Sequence, residues 1–260
     1  MAAQTIIISG ASRGLGAATA RISAKLGATV VLNARSAVPL QKVAQEIRAV
    51  GGKALAVPGD ISLEEECRNL IETAVAQTGS IDALINNAST LDPLTSMATA
   101  DPQELQHNLA VNLLGPMLLT QAAMPYLRQA QGRVINVSSG AAVNNIAGWG
   151  AYSISKAALN HFTRQLAEEE EQITAVSFRP GIIDTDMQAQ IRREGQEDMS
   201  AERYAYFQHL HLSHQLLPPD LPGKALAILA LYAPPQWSGE FLRWNADKVQ
   251  QLIKTVNHQR

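Results

Sequence analysis

Tyr152 and Lys156 stand four residues apart in Gly150-Ala151-Tyr152-Ser153-Ile154-Ser155-Lys156, and Ser139 lies thirteen residues before the tyrosine. The downstream Ala157-Ala158-Leu159 favours a helix, where that spacing brings two side chains to one face, about 5–6 Å apart at Cβ. An ammonium so placed favours ionisation of a phenol that ordinarily titrates near ~10. Ser139 follows the strand-like run Arg133-Val134-Ile135-Asn136-Val137 and offers a hydroxyl at its C-terminal end. A hydroxyl donor and an acidified phenol converging on one oxygen are what reduction of a carbonyl requires. A Tyr-x-x-x-Lys pair alone is also common on solvated helix surfaces, so its meaning depends on the rest of the chain.

A second group of residues suits a nucleotide. Thr5-Ile6-Ile7-Ile8 reads as a short strand buried on both faces of a parallel sheet. It runs into Ser9-Gly10-Ala11-Ser12-Arg13-Gly14-Leu15-Gly16 and then the helix-like stretch from Ala17 to Leu26. Strand, glycine turn and helix N-terminus present backbone N–H groups to a pyrophosphate, and the glycines allow close approach. Their spacing is Gly-x-x-x-Gly-x-Gly, not the better-known Gly-x-Gly-x-x-Gly. The next strand, Thr29-Val30-Val31-Leu32, leads to Asn33-Ala34-Arg35. An acidic residue there would bind a ribose 2′-hydroxyl and repel a 2′-phosphate. With the acid absent and two guanidinium groups at Arg13 and Arg35, NADP(H) is the expected cofactor.

These groups need a frame, and the chain alternates strands with helices. Helices are predicted near Leu40–Val50 and Leu63–Gln77, and at Pro102–Leu114 and Met117–Ala130, with Gly115-Pro116 as a boundary or kink. Strands are predicted at 54–57, 83–86 and 173–178, with a last helix near Lys224–Leu231 and a last strand near Phe241–Trp244. The pattern implies an α/β fold: one doubly wound parallel β-sheet flanked by helices on both faces, spanning 1–260 as a single domain. Ligands bind such sheets at the strand C-terminal ends, where all the residues above lie.

Composition is consistent with an enzyme domain. Of 260 residues 46% are hydrophobic, enough for a sizeable core, and the net charge of −2 gives no reason to expect nucleic acid or an acidic membrane. Cys67 is the one cysteine, so no internal disulfide forms, and filling space on the third helix is its expected role. No apolar run approaches the ~18 residues of a membrane helix. The first strand starts within a few residues, which leaves no room for a leader. The expected location is cytoplasmic. His209, His211 and His214 have no cysteine or acid at ligand spacing, so no metal is expected. Glu168–Glu171 reads as a solvated helix end.

The motifs together resemble the short-chain dehydrogenase/reductase family over nearly the whole length. They run in family order: Gly10, Gly14 and Gly16; Gly59-Asp60-Ile61; Asn86-Asn87-Ala88-Ser89; Asn112; Ser139; Tyr152 and Lys156; Pro180-Gly181-Ile182-Ile183-Asp184-Thr185. Ser9 stands where the family often has threonine and Ser89 where it often has glycine. The resemblance implies a Rossmann-type sheet and a catalytic tetrad of Asn112, Ser139, Tyr152 and Lys156. Ser139 would bind the carbonyl oxygen, Tyr152 donate the proton, and Lys156 lower the tyrosine pKa and hold the nicotinamide ribose. The Asn112 backbone, through a local distortion, would hold a water in a relay to Lys156. Cofactor contacts are implied at Gly10, Ser12, Arg13, Gly14, Leu15, Gly16, Asn33, Arg35, Asp60, Ile61, Asn87, Tyr152, Lys156, Pro180, Gly181, Ile183 and Thr185.

Finer segments, among them Ser138-Ser139-Gly140, Gly148-Trp149 and Asp184-Thr185-Asp186-Met187-Gln188, resemble the sepiapterin-reductase-like branch and, within it, the fungal benzil reductases. Arg243 aligns with the acidic residue thought to hold the pterin in sepiapterin reductases, which argues against a pterin. A lid is expected at about 187–221, lined by Met187, Tyr204, Phe207, Leu210 and Leu212, with Trp149 as an aromatic wall. That implies a small-molecule carbonyl substrate, a hydrophobic or aromatic 1,2-diketone. A ketone of a secondary pathway, a sepiapterin-type substrate, or a non-catalytic NADP(H)-binding scaffold are the alternatives. The family also implies a homodimer or homotetramer.

Overall fold

The computed structural model describes residues 3–258. Seven strands form one sheet in the order β3-β2-β1-β4-β5-β6-β7, every pair parallel. They are β1 (Thr5–Ser9), β2 (Thr29–Ala34), β3 (Lys53–Pro58), β4 (Ala83–Asn86), β5 (Arg133–Val137), β6 (Thr174–Arg179) and β7 (Phe241–Arg243). The reversal of strand order between β1 and β4 opens a crevice at the strand C-terminal ends.

Alternate strand residues serve opposite layers. Ile6 and Ile8 pack with α1 (Gly14–Lys25), α2 (Ala37–Ala49), α9 (Asp220–Tyr232) and α10 (Asp247–His258). Ile7 packs on the other face with α3 (Glu64–Thr78), α5 (Gly115–Ala130) and α6 (Gly150–Glu169). Three more helices, α4 (Pro102–Leu109), α7 (Asp186–Glu194) and α8 (Ala201–Leu212), lie near the sheet's C-terminal edge. Cys67 is buried on α3 and donates to the Ile61 carbonyl at 3.2 Å; burial pushes its thiol up to about 12.

Gly115-Pro116 marks the expected boundary, where α5 begins, without interrupting the helical run. Leu114 and Gly115 both keep right-handed helical angles, and the irregularity sits one turn earlier, as a π-helical turn at Ala110–Leu114. Pro116 explains it: without an N–H it cannot donate to the Asn112 carbonyl four residues back, which loosens the turn before it. The sequence reading misses α10, although Val249, Leu252, Ile253 and Val256 carry helical spacing.

Candidate active site

A cleft of about 840 Å³ lies along the C-terminal edge of the sheet, from β2 and β3 across to β6. Every residue expected to act in catalysis or cofactor binding lines it except Asn112, which is fully buried behind it.

At one end the glycine turn connects β1 to α1. Gly10 and Gly14 hold positive φ angles of 65° and 53°, and a Cβ on Gly16 would stand 2.3 Å from the Gly10 carbonyl oxygen. Ser9 and Asn87 fasten this turn to the loop after β4. The Ser9 hydroxyl accepts from the Asn87 and Ala88 backbone N–H groups at 3.0 and 3.1 Å, and Asn87 Nδ2 donates to the Ser9 and Gly10 carbonyls. No side chain caps the N-terminus of α1, which leaves its first-turn N–H groups for an anion. Arg13 and Arg35 are exposed on the cleft rim, and Arg13 pairs at 2.8 Å with Asp186 of α7. Asn33 ties β2 to β3 by donating to the Val57 and Gly59 carbonyls. Asp60 accepts from the Ser62 N–H and hydroxyl through one oxygen, at 2.9 and 2.8 Å.

At the other end Ser139 leaves β5 in extended conformation and Tyr152 and Lys156 enter from α6, both buried. Lys156 Nζ donates to the Val137 carbonyl at 2.9 Å and lies 5.6 Å from the centre of the Tyr152 ring. The expectation of a lysine-acidified phenol is therefore corrected. Burial pushes the Tyr152 pKa up, opposed only by the hydroxyls of Ser139 and Ser89. Lys156 is itself desolvated, which brings its pKa down to about 7, and it gives one of its N–H donors to a backbone carbonyl.

Lys156 thereby makes stability pH-dependent in a stated direction. From about 7 to its ordinary 10.5 the unfolded chain holds a proton that the native state has lost. Stability then rises with pH through that window, and the penalty is complete below it. In urea titrations of the ligand-free protein, the midpoint of wild type should rise relative to that of Lys156→Met as pH increases from about 7 to 9. A constant difference would contradict the buried, depressed lysine.

Asn112 sits in the π-helical turn as a fully used connector. Its Oδ1 accepts from Ser89 Oγ and Thr90 N, both at 2.9 Å, and its Nδ2 donates to Thr90 O, Asn108 Oδ1 and Ser155 Oγ. Ser89, which the sequence marks only as a departure from the family glycine, therefore bridges Asn112 and the Tyr152 environment. Its hydroxyl was the available signal.

The far wall is aromatic. Trp149 stacks on Phe207 at 5.4 Å and meets the Tyr152 ring edge-on at 5.9 Å, geometries worth about 0.5–1.5 kcal/mol each beyond area burial. Met187, Ile182, Ile146 and Ile191 extend this lining. Of the residues expected on the 187–221 segment, Met187 and Phe207 line the cleft and Leu210 packs beneath it. Tyr204 instead ties α8 to α7 through the Arg192 carbonyl at 2.9 Å, and Leu212 is 74% exposed, facing solvent. Arg243 does not line the cleft; it ends β7 opposite Arg179, which does.

Known proteins resemble this chain over most of its length. The model of the family described as short chain dehydrogenase matches residues 4–196. An uncharacterized oxidoreductase of Saccharomyces cerevisiae is 36% identical over 246 residues, 93% of this chain and 96% of that one. Its crystal structure superposes with a TM-score of 0.91 at 35% identity, covering 96% and 99% of the two chains. A benzil reductase ((S)-benzoin forming) of Bacillus cereus is 35% identical over 229 residues, 85% of this chain and 91% of the relative. A metagenomic short-chain oxidoreductase in complex with NADP superposes with a TM-score of 0.75 at 31% identity, covering 94% and 98%.

Proposed function

The chain belongs to the short-chain dehydrogenase family, and from that premise we propose that it is an NADPH-dependent ketone reductase acting on aromatic 1,2-diketones. One observation carries the reading: the buried Tyr152 and Ser139 line the same cleft as the glycine turn, beneath an aromatic wall. The similar B. cereus protein is a benzil reductase, and the metagenomic relative is in complex with NADP.

The residues present fit that cofactor. The turn around Gly16 has no room for a Cβ, the N-terminus of α1 is uncapped, and the rim after β2 carries Arg35 with no acid at 33–35. Bound there, NADPH supplies the reducing equivalent to a carbonyl carbon. The glycine turn (Gly10, Ser12, Gly14, Leu15, Gly16) holds the diphosphate, Arg13 and Arg35 the 2′-phosphate, and Asn33, Asp60 and Ile61 the adenosine end. Asn87, Pro180, Gly181, Ile183 and Thr185 orient the nicotinamide end. Arg13 has only to exchange a solvent-exposed partner, Asp186, and such pairs are worth about 0–1 kcal/mol.

Ser139 donates a hydrogen bond to the carbonyl oxygen, and Tyr152 transfers its proton to that oxygen as negative charge develops. Its raised pKa suits this direction, because burial keeps the phenol protonated until the acceptor arrives. Lys156, near 7, can then pass a proton onward. The Asn112 carbonyl, deprived of the Pro116 donor, is the acceptor for a relaying water. Residues 187–221 act as the lid, and the Trp149–Phe207 stack receives the substrate ring. The case against a pterin rests on the missing acid at position 243, since Arg243 itself stays outside the lining.

Cofactor choice is tested at Arg35. Arg35→Ala should weaken NADPH binding about 10- to 100-fold, the worth of charge-assisted phosphate contacts, and leave NADH binding unchanged. Equal losses for both cofactors, or none, would contradict the assignment; efficient reduction of sepiapterin would contradict the diketone reading.

A further inference from the structure

Arg179 ends β6 at the catalytic end of the cleft and is half-buried there. Its guanidinium packs against Gly140, the residue after Ser139: a Cβ on Gly140 would lie 2.6 Å from Nη2. Among the described residues its side chain has no hydrogen-bond acceptor and no carboxylate at ion-pair distance. The part-buried Arg133 is treated differently: its Nε donates to the Ala233 carbonyl at 2.9 Å. A second cation compounds the shortage. Arg243 stands opposite Arg179 in the β6–β7 register, and burial together with that neighbour depresses the Arg179 pKa. Two adjacent cations without a counter-charge are unfavourable, and an anion relieves them.

The cofactor's phosphates are not that anion. Three strand spacings separate β6 from β1, about 14 Å, and the phosphate sites lie at β1 and β2. The nicotinamide end of the cofactor, placed beside Pro180 and Gly181, offers no carboxylate, so the other occupant of this end, the carbonyl substrate, is left to supply the anion.

We propose that Arg179 is the anchoring donor for an anionic oxygen group, a carboxylate, on the ketone substrate. This rests on the reductase reading of the cleft and extends its substrates from neutral diketones to aromatic 2-oxo acids and related acidic aryl ketones. The aryl ring goes to the Trp149–Phe207 wall, the ketone oxygen to Ser139 and Tyr152, and the carboxylate to Arg179. A guanidinium meets a carboxylate with two parallel donors, which fixes orientation as well as affinity. A neutral 1,2-diketone offers the same fork only its second carbonyl oxygen.

The test compares phenylglyoxylate with its methyl ester, binding each calorimetrically to the NADP⁺-loaded protein, where no turnover occurs. In wild type the acid should bind about tenfold or more tighter than the ester, as a charge-assisted contact implies. Arg179→Met should erase that ratio, and Arg179→Lys should keep part of it. The NADP⁺ affinity of each variant reports whether the cleft is intact. No preference for the acid in wild type, or one unchanged in Arg179→Met, overturns the proposal. Benzil turnover is read separately: failure of wild type to reduce any ketone overturns the reductase reading, while the acid-to-ester ratio still judges Arg179.

Discussion

Replacing Tyr152 by Phe is expected to lower turnover by about 10³-fold, within the range that a positioned general acid contributes, while NADPH affinity stays close to wild type. The substitution keeps the ring, and with it the edge-on contact to Trp149 at 5.9 Å and the packing that leaves Tyr152 6% exposed. Only the hydroxyl is lost, the group that the Ser139 and Ser89 hydroxyls act upon. Lys156 donates to the Val137 carbonyl and lies 5.6 Å from the centre of the Tyr152 ring, which places it behind the phenol as a relay rather than in its place. Steady-state rates with benzil, together with titration of NADPH fluorescence, check both halves. Near-normal turnover would contradict the role given to the phenol. A parallel collapse of NADPH binding would show damage to the cleft instead.

The second large effect is expected at Gly16, the closest approach in the glycine turn. An alanine there puts its Cβ 2.3 Å from the Gly10 carbonyl oxygen and 2.6 Å from Asn87 Nδ2. Neither neighbour is free to yield. Gly10 is held at a φ of 65°, and Asn87 Nδ2 is bonded to both the Ser9 and Gly10 carbonyls. Overpacking of this kind costs about 1–3 kcal/mol, so Gly16→Ala should weaken NADPH binding about 5- to 150-fold by distorting the turn. Gly27→Ala is the control. Its φ is 89° but nothing lies within 4 Å of the new Cβ, so it should reduce stability through backbone strain and leave NADPH affinity alone. Equal NADPH affinities for wild type and Gly16→Ala would contradict the placement of the diphosphate.

Much of this was legible in the sequence, because the information was local. Four consecutive apolar or β-branched residues at Thr5–Ile8 followed by a glycine turn specify a buried strand and its exit, and β1 and α1 formed there. The strand at Ala83–Asn86 matched residue for residue. Spacing also placed Tyr152 and Lys156 on one helix and Ser139 at a strand end, all lining one cleft. Electrostatics was not local and was not legible. A four-residue spacing says that a lysine is near a tyrosine; it does not say that both are buried or that the lysine faces Val137. Arg179 was passed over for the same reason, since its lack of a partner depends on β7 lying beside β6. The π-helical turn was half legible: Pro116 marked a disturbance, but its effect falls on the residues before it.

In the proposed function the cleft couples NADPH oxidation to reduction of an aromatic diketone. The direct measurement is the rate at which the purified protein consumes NADPH with benzil, with benzoin assayed in the same mixture and NADH run in parallel. One benzoin should form for each NADPH consumed, with a much lower rate when NADH is supplied. NADPH left unconsumed in the presence of benzil, or an equal rate with NADH, would contradict it.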